Sequence, residues 1–133
     1  MSSGGSGSLA IIVRSDNPES VYPALILAST AASMGVKVEV FFTFWGLRVL
    51  VKGGIESVER KLREAIGGEP RGIPPLSMLL EMARKSGVEI YACSTTIQAM
   101  GLNEGNLIEG CPIVGAATFV HKHVSGGSRI LVF

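Results

Sequence analysis

Most of the chemistry this chain can offer lies in two cysteines, two histidines and a short run of hydroxyl residues. Cys93 closes the run Val88-Glu89-Ile90-Tyr91-Ala92 and is followed by Ser94, Thr95 and Thr96. The pattern reads as a short buried strand running into the first turn of a helix. A thiol at such a junction sits at the carboxyl edge of a sheet, against the unpaired N–H groups of the helix start. Those groups and the helix dipole favour negative charge, and so favour thiolate over thiol. The chemistry implied is that of a nucleophile or a sulfur carrier. Inert packing is the competing role, because free cysteine is among the most buried residue types. The hydroxyls of Ser94, Thr95 and Thr96 suit donation to a thiolate or a bound oxyanion. They equally suit ordinary helix capping, and the two roles are compatible.

Two further stretches belong with Cys93. Thr43-Phe44-Trp45-Gly46 contains the only tryptophan. Its aromatics are suited to core or subunit packing, or to an apolar wall that keeps water from a reactive sulfur. Gly46 permits close backbone approach or a plain turn. In Arg14-Ser15-Asp16, Arg14 has the charge to meet an anionic substrate or to stand solvated, and Asp16 can support a helix cap. His121 and His123 fall two apart on an expected helix. They do not share a face, so they are expected at a surface or interface rather than on one metal. Cys111, before Pro112, is expected to be a packed thiol. A disulfide with Cys93 needs Cα atoms within about 7 Å, and nothing in the sequence brings them together. No GxxxxGK[ST], no GxGxxG after a strand and no GxSxG elbow is present. No cofactor and no metal is expected.

The elements that must position these residues follow from periodicity and punctuation. Leu9 to Val13 is a continuous apolar run and reads as the first strand. Asn17, Pro18 and Glu19 mark a helix start, and the helix runs to about Met34, with Gly35 as its stop. Val36 to Phe42 is a second strand. It alternates first, with Lys37 and Glu39 on the polar side, and then becomes fully apolar. A short helix ends near Lys52. Ile55 to Ile66 is amphipathic. Gly67 to Pro75 is a loop, and a helix follows that Gly87 closes. After the Cys93 strand come a helix from about Thr95 to Met100, a polar excursion, a fourth strand near Cys111 to Gly115, a helix over Ala116 to Val124 and a last strand over Arg129 to Phe133.

Strands alternating with helices predict an α/β fold. The expectation is a three-layer α/β/α sandwich with a mostly parallel central sheet of four to five strands. The loops after the first three strands would then converge at the carboxyl edge, where strand order reverses. The domain is taken as residues 9–133, behind a flexible Ser/Gly tail at residues 1–8. The chain has 133 residues, enough for one domain with a proper core. Twelve basic and 11 acidic residues give a formal net charge of +1, which argues against a dedicated nucleic-acid binder. Mean hydropathy is +0.40, but no apolar run approaches the roughly 20 residues of a bilayer span, so no stable membrane insertion is expected. The apolar surplus suits burial between subunits, and a homo-oligomer is expected. No signal peptide is recognisable, and two cysteines are not a disulfide framework, so a reducing cytoplasm is the expected setting.

These residues also resemble a known family. Phe41-Phe42-Thr43-Phe44-Trp45-Gly46-Leu47 looks like the FFTFWGL signature of DsrE/DsrF-like proteins, in the branch often called DsrE2-like or peroxiredoxin-like. Tyr91-Ala92-Cys93-Ser94-Thr95-Thr96 with Met100-Gly101 resembles that branch's cysteine segment. Leu107 to Gly110 and Val114 to Phe119 resemble its C-terminal segment. The likeness covers nearly all of residues 9–133. It implies homo-oligomers and a part in intracellular sulfur trafficking, with Cys93 carrying sulfur as a persulfide or thiosulfonate. It adds Met100 to the expected pocket of Arg14, Ser15, Asp16, Thr43, Phe44, Trp45, Gly46, Ser94, Thr95 and Thr96. No peroxidase chemistry follows from the branch's label.

The leading expectation is therefore a sulfurtransferase-like carrier served by donor and acceptor proteins. The alternative is a non-catalytic oligomeric module that binds a small anion or nucleotide, with Cys93 structural. A thiol redox enzyme using Cys93 and Cys111 is a third reading, and it requires a reversible disulfide.

Overall fold

The computed structural model describes residues 7–133. Five strands, β1 (Ser8–Val13), β2 (Lys37–Phe42), β3 (Glu89–Cys93), β4 (Ile113–Val114) and β5 (Arg129–Val132), form one sheet in the order β4-β3-β2-β1-β5. All four pairings within this sheet are parallel, so the sheet is more uniform than the mostly parallel one expected. The strand starts at Ser8, one residue inside the expected tail, and residues 1–6 of that tail lie outside the described residues. The connecting helices are α1 (Pro18–Ser33), α2 (Gly54–Ile66), α3 (Leu76–Lys85), α4 (Ser94–Ala99) and α5 (Ala116–Phe119).

Strand order fixes which face each helix covers. The chain steps in one direction from β1 through β4, then returns across the whole sheet to β5. Right-handed crossovers therefore put α5 on the face opposite α1, α2 and α3. Side chains agree. In β2, Phe41 packs on Phe119 of α5 with ring centroids 5.0 Å apart. Val38, Val40 and Phe42 point the other way and are fully buried in the main core with Leu25, Leu47 and Leu76. Burial on both faces is why the second half of β2 reads as a solid apolar run.

Two expectations are corrected on the α5 face. Glu39 does not belong to a solvated polar side of β2, and His123 is not a surface histidine. Both are buried. His123 Nε2 lies 2.8 Å from Glu39 Oε1, and its Nδ1 lies 2.9 Å from Ser128 Oγ. Ser128 Oγ is in turn 2.7 Å from Ser8 Oγ. The Lys122 ammonium closes on the other Glu39 oxygen. The cause is local. The expected helix over Ala116 to Val124 forms, but its second half, Val120–Val124, winds as a π turn. The extra residue in that turn directs His123 inward while His121 stays exposed. A buried carboxylate is costly unless paired, and here the pair also ties the starts of β1, β2 and β5 to the last helix.

Burial alone would raise the Glu39 carboxyl, but its hydrogen bonds to Lys122 and His123 outweigh that, and its pKa is lowered from the ordinary 4.5. A depressed folded-state pKa contributes stability above the unfolded value, which is lost as pH falls through the folded one. Glu39→Gln should therefore flatten the acid limb of the stability profile below pH 4.5. At pH 7 it should cost about 2 kcal/mol. Urea unfolding at a series of pH values measures both, and an acid limb identical to that of the parent would refute the assignment.

Candidate functional site: a thiol at the start of α4

Parallel register brings the ends of three strands level. Val13 pairs with Phe42, and Phe42 pairs with Ala92. The next residues, Thr43 and Cys93, therefore emerge side by side at the carboxyl edge. The ladder extends one step past β2, where Thr43 N donates to Val13 O at 2.9 Å. Cys93 has extended backbone, φ −70° and ψ 120°, and is the N-cap residue of α4. The strand thus ends on a sulfur placed where a capping side chain would be.

The sulfur is surrounded by donors. The neutral thiol makes no capping hydrogen bond of ordinary geometry. The effect of the donors falls on the ionised form. Burial pushes the Cys93 thiol up, but the hydroxyls of Thr43 and Thr96 and the N–H groups of Thr96 and Thr95 more than offset it, so the net shift is downward from 9.0. Thr96 is the organising hydroxyl. Its Oγ1 accepts from Phe44 N at 2.8 Å and lies 3.3 Å from Thr43 Oγ1. The Phe44 N–H fills one acceptor position on Thr96 Oγ1, which keeps its own proton to donate to the sulfur or to Thr43 Oγ1.

The same bond holds Phe44 in a strained conformation. Its φ is +51°, and no other described non-glycine residue has a positive φ. Such backbone costs about 1–2 kcal/mol for an L-residue. It lifts the Phe44 ring outward, 59% exposed, edge-on to Trp45, which is 50% exposed. The two aromatics thus form an open apolar ledge beside the thiol rather than a sealed wall. Gly46 is required by close approach, since a Cβ there would lie 2.2 Å from the Val13 carbonyl oxygen.

The remaining expected residues divide. Thr95 contributes its N–H to the sulfur, and Ser94 stands half-buried in the same turn. Arg14 is exposed, and its backbone N–H donates to Phe133 O. Ser15 Oγ accepts from Asn17 N at 3.1 Å, so it serves its own loop. Asp16 does not cap α1. It binds Arg48 through both oxygens, at 3.1 and 3.0 Å, and Lys61 at 3.3 Å. Burial raises its carboxyl, but those two cations hold it below the usual carboxylate range. Met100 closes α4 and, with Asp16, lines a cavity of about 500 Å³ to which Cys93 does not contribute. The loops after β1, β2 and β3 do share one edge, as expected. The reversal of strand order lies between β1 and β5, two strands from Cys93, so the thiol is not at the switch point.

Cys111 is buried as expected of a packed thiol, with Arg84 Nη2 3.1 Å from its sulfur. Burial raises its pKa despite Arg84. In the β3–β4 register Cys93 pairs with Val114, so Cys111 lies three residues lower in the sheet. That is roughly 10 Å along the strand, beyond disulfide reach without backbone movement. Sequence reasoning overlooked Arg48, which stacks 4.6 Å over Trp45. The FWGLR spacing, one short helical turn from Trp45 to Arg48, is the signal that carried it.

Fold and site together define a parallel α/β protein that presents one thiol, its pKa lowered from the ordinary value, at the N-cap of a short helix beyond its third strand. The chain belongs to the DsrE/DsrF/DrsH-like family, whose model matches residues 6–72 and 69–131. It is 29% identical to the sulfur carrier protein DsrE2 of Allochromatium vinosum, over 84% of this chain and 89% of that one. It is 25% identical to YrkE of Bacillus subtilis, over 92% and 94%. Among solved structures, the Escherichia coli ychN protein aligns with a TM-score of 0.65 at 17% identity, over 95% of this chain and 99% of that one. MTH1491 of Methanobacterium thermoautotrophicum aligns with a TM-score of 0.62 at 21% identity, over 96% and 99%. These two show the shared fold.

Thr96→Val should raise the Cys93 pKa, so that alkylation by a small reagent becomes appreciable only at higher pH than in the parent. It also orphans the Phe44 N–H, at a cost of about 1–2 kcal/mol in stability. Rates of iodoacetamide labelling against pH test the first effect. A profile that does not move would show that the hydroxyl does not act on the sulfur.

Proposed function

We propose that the protein is a sulfur carrier that works through Cys93. The observation that carries this reading is the place of Cys93 at the N-cap of α4, level with Thr43 at the end of β2, where the hydroxyls of Thr43 and Thr96 and the N–H groups of Thr95 and Thr96 favour the thiolate against burial. A structural cysteine needs no such set. The thiolate attacks a sulfane sulfur and displaces the donor's thiolate or thiosulfate, holds the sulfur as a persulfide or thiosulfonate, and passes it to the thiolate of a partner protein with Cys93 thiolate as the leaving group. The N–H groups of Thr95 and Thr96 and the hydroxyls of Thr43 and Thr96 steady the anion before and after loading. The name of the Allochromatium relative is consistent with this role. No helix among the described residues is long and apolar enough to cross a membrane, and we place the chemistry in a reducing cytoplasm, where such a thiolate stays unoxidised.

The same reading includes self-association. Ile130, Leu131 and Val132 of the edge strand β5 are exposed, as are Val120 and Val124 in the turn before it. A second copy is the occupant that suits an apolar sheet edge of this kind. Sedimentation velocity should show an oligomer that Leu131→Lys shifts toward monomer. A parent that sediments as a monomer would refute this part.

The carrier reading is tested by intact mass after exposure of the reduced protein to polysulfide or tetrathionate. Cys111→Ser should take up a sulfane-sulfur or thiosulfonate adduct, and Cys93→Ser should not. A native parent that gains no adduct while its denatured form does would mark Cys93 as inert, and the anion-binding module becomes the better reading.

A further inference from the structure

The cavity of about 500 Å³ between α2, the turn before it and the end of α4 has a chemistry of its own. Val51, Met100 and Leu102 supply its apolar lining. Arg48, Lys52 and Lys61 line it with a single carboxylate, Asp16. Asp16 is shared between Arg48 and Lys61. Lys52 is exposed and has no ion pair among the described residues. Three cations and one carboxylate leave two positive charges uncompensated beside apolar side chains. That is the complement of a small organic molecule bearing two acid groups.

The cavity is joined to the thiol by two continuous structures. One is α4, with Cys93 at its N-cap and Met100 at its C-cap, a span of roughly 10 Å. The other is the ledge: Arg48 lies over the Trp45 ring, and Trp45 stands edge-on to Phe44, whose N–H is bonded to Thr96. A ligand anchored by its acid groups in the cavity has an exposed aromatic surface leading toward the sulfur.

We propose that this cavity is the docking site for the sulfur donor, and that the donor is a low-molecular-weight organic persulfide with two acid groups set apart from its outer sulfur. This rests on the carrier reading above. The Cys93 thiolate attacks the outer sulfur of R–S–S–H. The new bond joins Cys93 Sγ to that sulfur, the old S–S bond breaks, and R–S⁻ leaves with the electron pair. The proton stays on the transferred sulfur, so thiolate and persulfide become persulfide and thiolate with no external oxidant.

The test compares loading of Cys93 from glutathione persulfide with loading from inorganic polysulfide, each followed by intact mass against time, in the parent and in the double variant Lys52→Gln/Lys61→Gln. The parent should load from both. In the double variant the ratio of the two rates, organic over inorganic, should fall about tenfold. An unchanged ratio would overturn the docking site and leave the carrier reading intact. A parent that loads from polysulfide but not from glutathione persulfide would also overturn it, and would point to a protein donor. A parent that loads from neither would overturn both.

Discussion

A sulfur anion withdrawn from water must have its charge answered by donors that cannot rotate away. Around Cys93 those donors are supplied by two separate parts of the chain, the end of β2 and the start of α4, and they meet only because the strand ends are level. The Thr96 hydroxyl is where the two parts are joined. It accepts from Phe44 and sits beside Thr43, so the loop after β2 is fastened to the helix after β3 at the sulfur itself. The strained φ of Phe44, the close packing of Gly46 on the Val13 carbonyl and the outward ledge of Phe44 and Trp45 all follow from that fastening. A looser loop would still leave a cysteine at a helix start, with the Thr96 hydroxyl in that helix, but without the Thr43 hydroxyl to help hold its charge.

The other end of the strands solves a comparable problem with opposite chemistry. There the buried anion is a carboxylate, Glu39, and its partners are cationic or polar side chains rather than backbone groups. A carboxylate surrounded by Lys122 and His123 is matched charge for charge and has no call to react. The sulfur has no cation against it. Its stabilisation comes from dipoles, which favour the anion without neutralising it and leave its electron pair free to attack. That difference separates a structural buried charge from a usable one.

The α/β architecture was legible because its signals are local and redundant. Apolar runs, glycine stops and the Asn17-Pro18-Glu19 helix start each mark an element independently. Cys93 was legible for the same reason, as a strand end and a helix start are both visible in consecutive residues. Thr43 was legible only as a member of a motif, because its approach to the sulfur depends on β2–β3 register. His123 and Glu39 lie 84 residues apart in sequence, and alternation along β2 pointed Glu39 outward. What overrode alternation was a second helical layer with a charged partner in it, and no pattern within β2 reports that. Asp16 was visible as a charged loop residue, but its partners Arg48 and Lys61 belong to two other elements.

The π turn at Val120–Val124 makes helix length a coded quantity. Each residue advances a regular helix by about 100°, so a relative shorter by one residue here would present a different side chain to Glu39. Its composition and hydrophobic pattern would be almost unchanged. An alignment gap in this turn should therefore be read as the loss of a buried ion pair, and a substitution at position 39 would be expected to accompany it. In this chain, the spacing between Phe119 and Ser128 carries as much information as the residues that fill it.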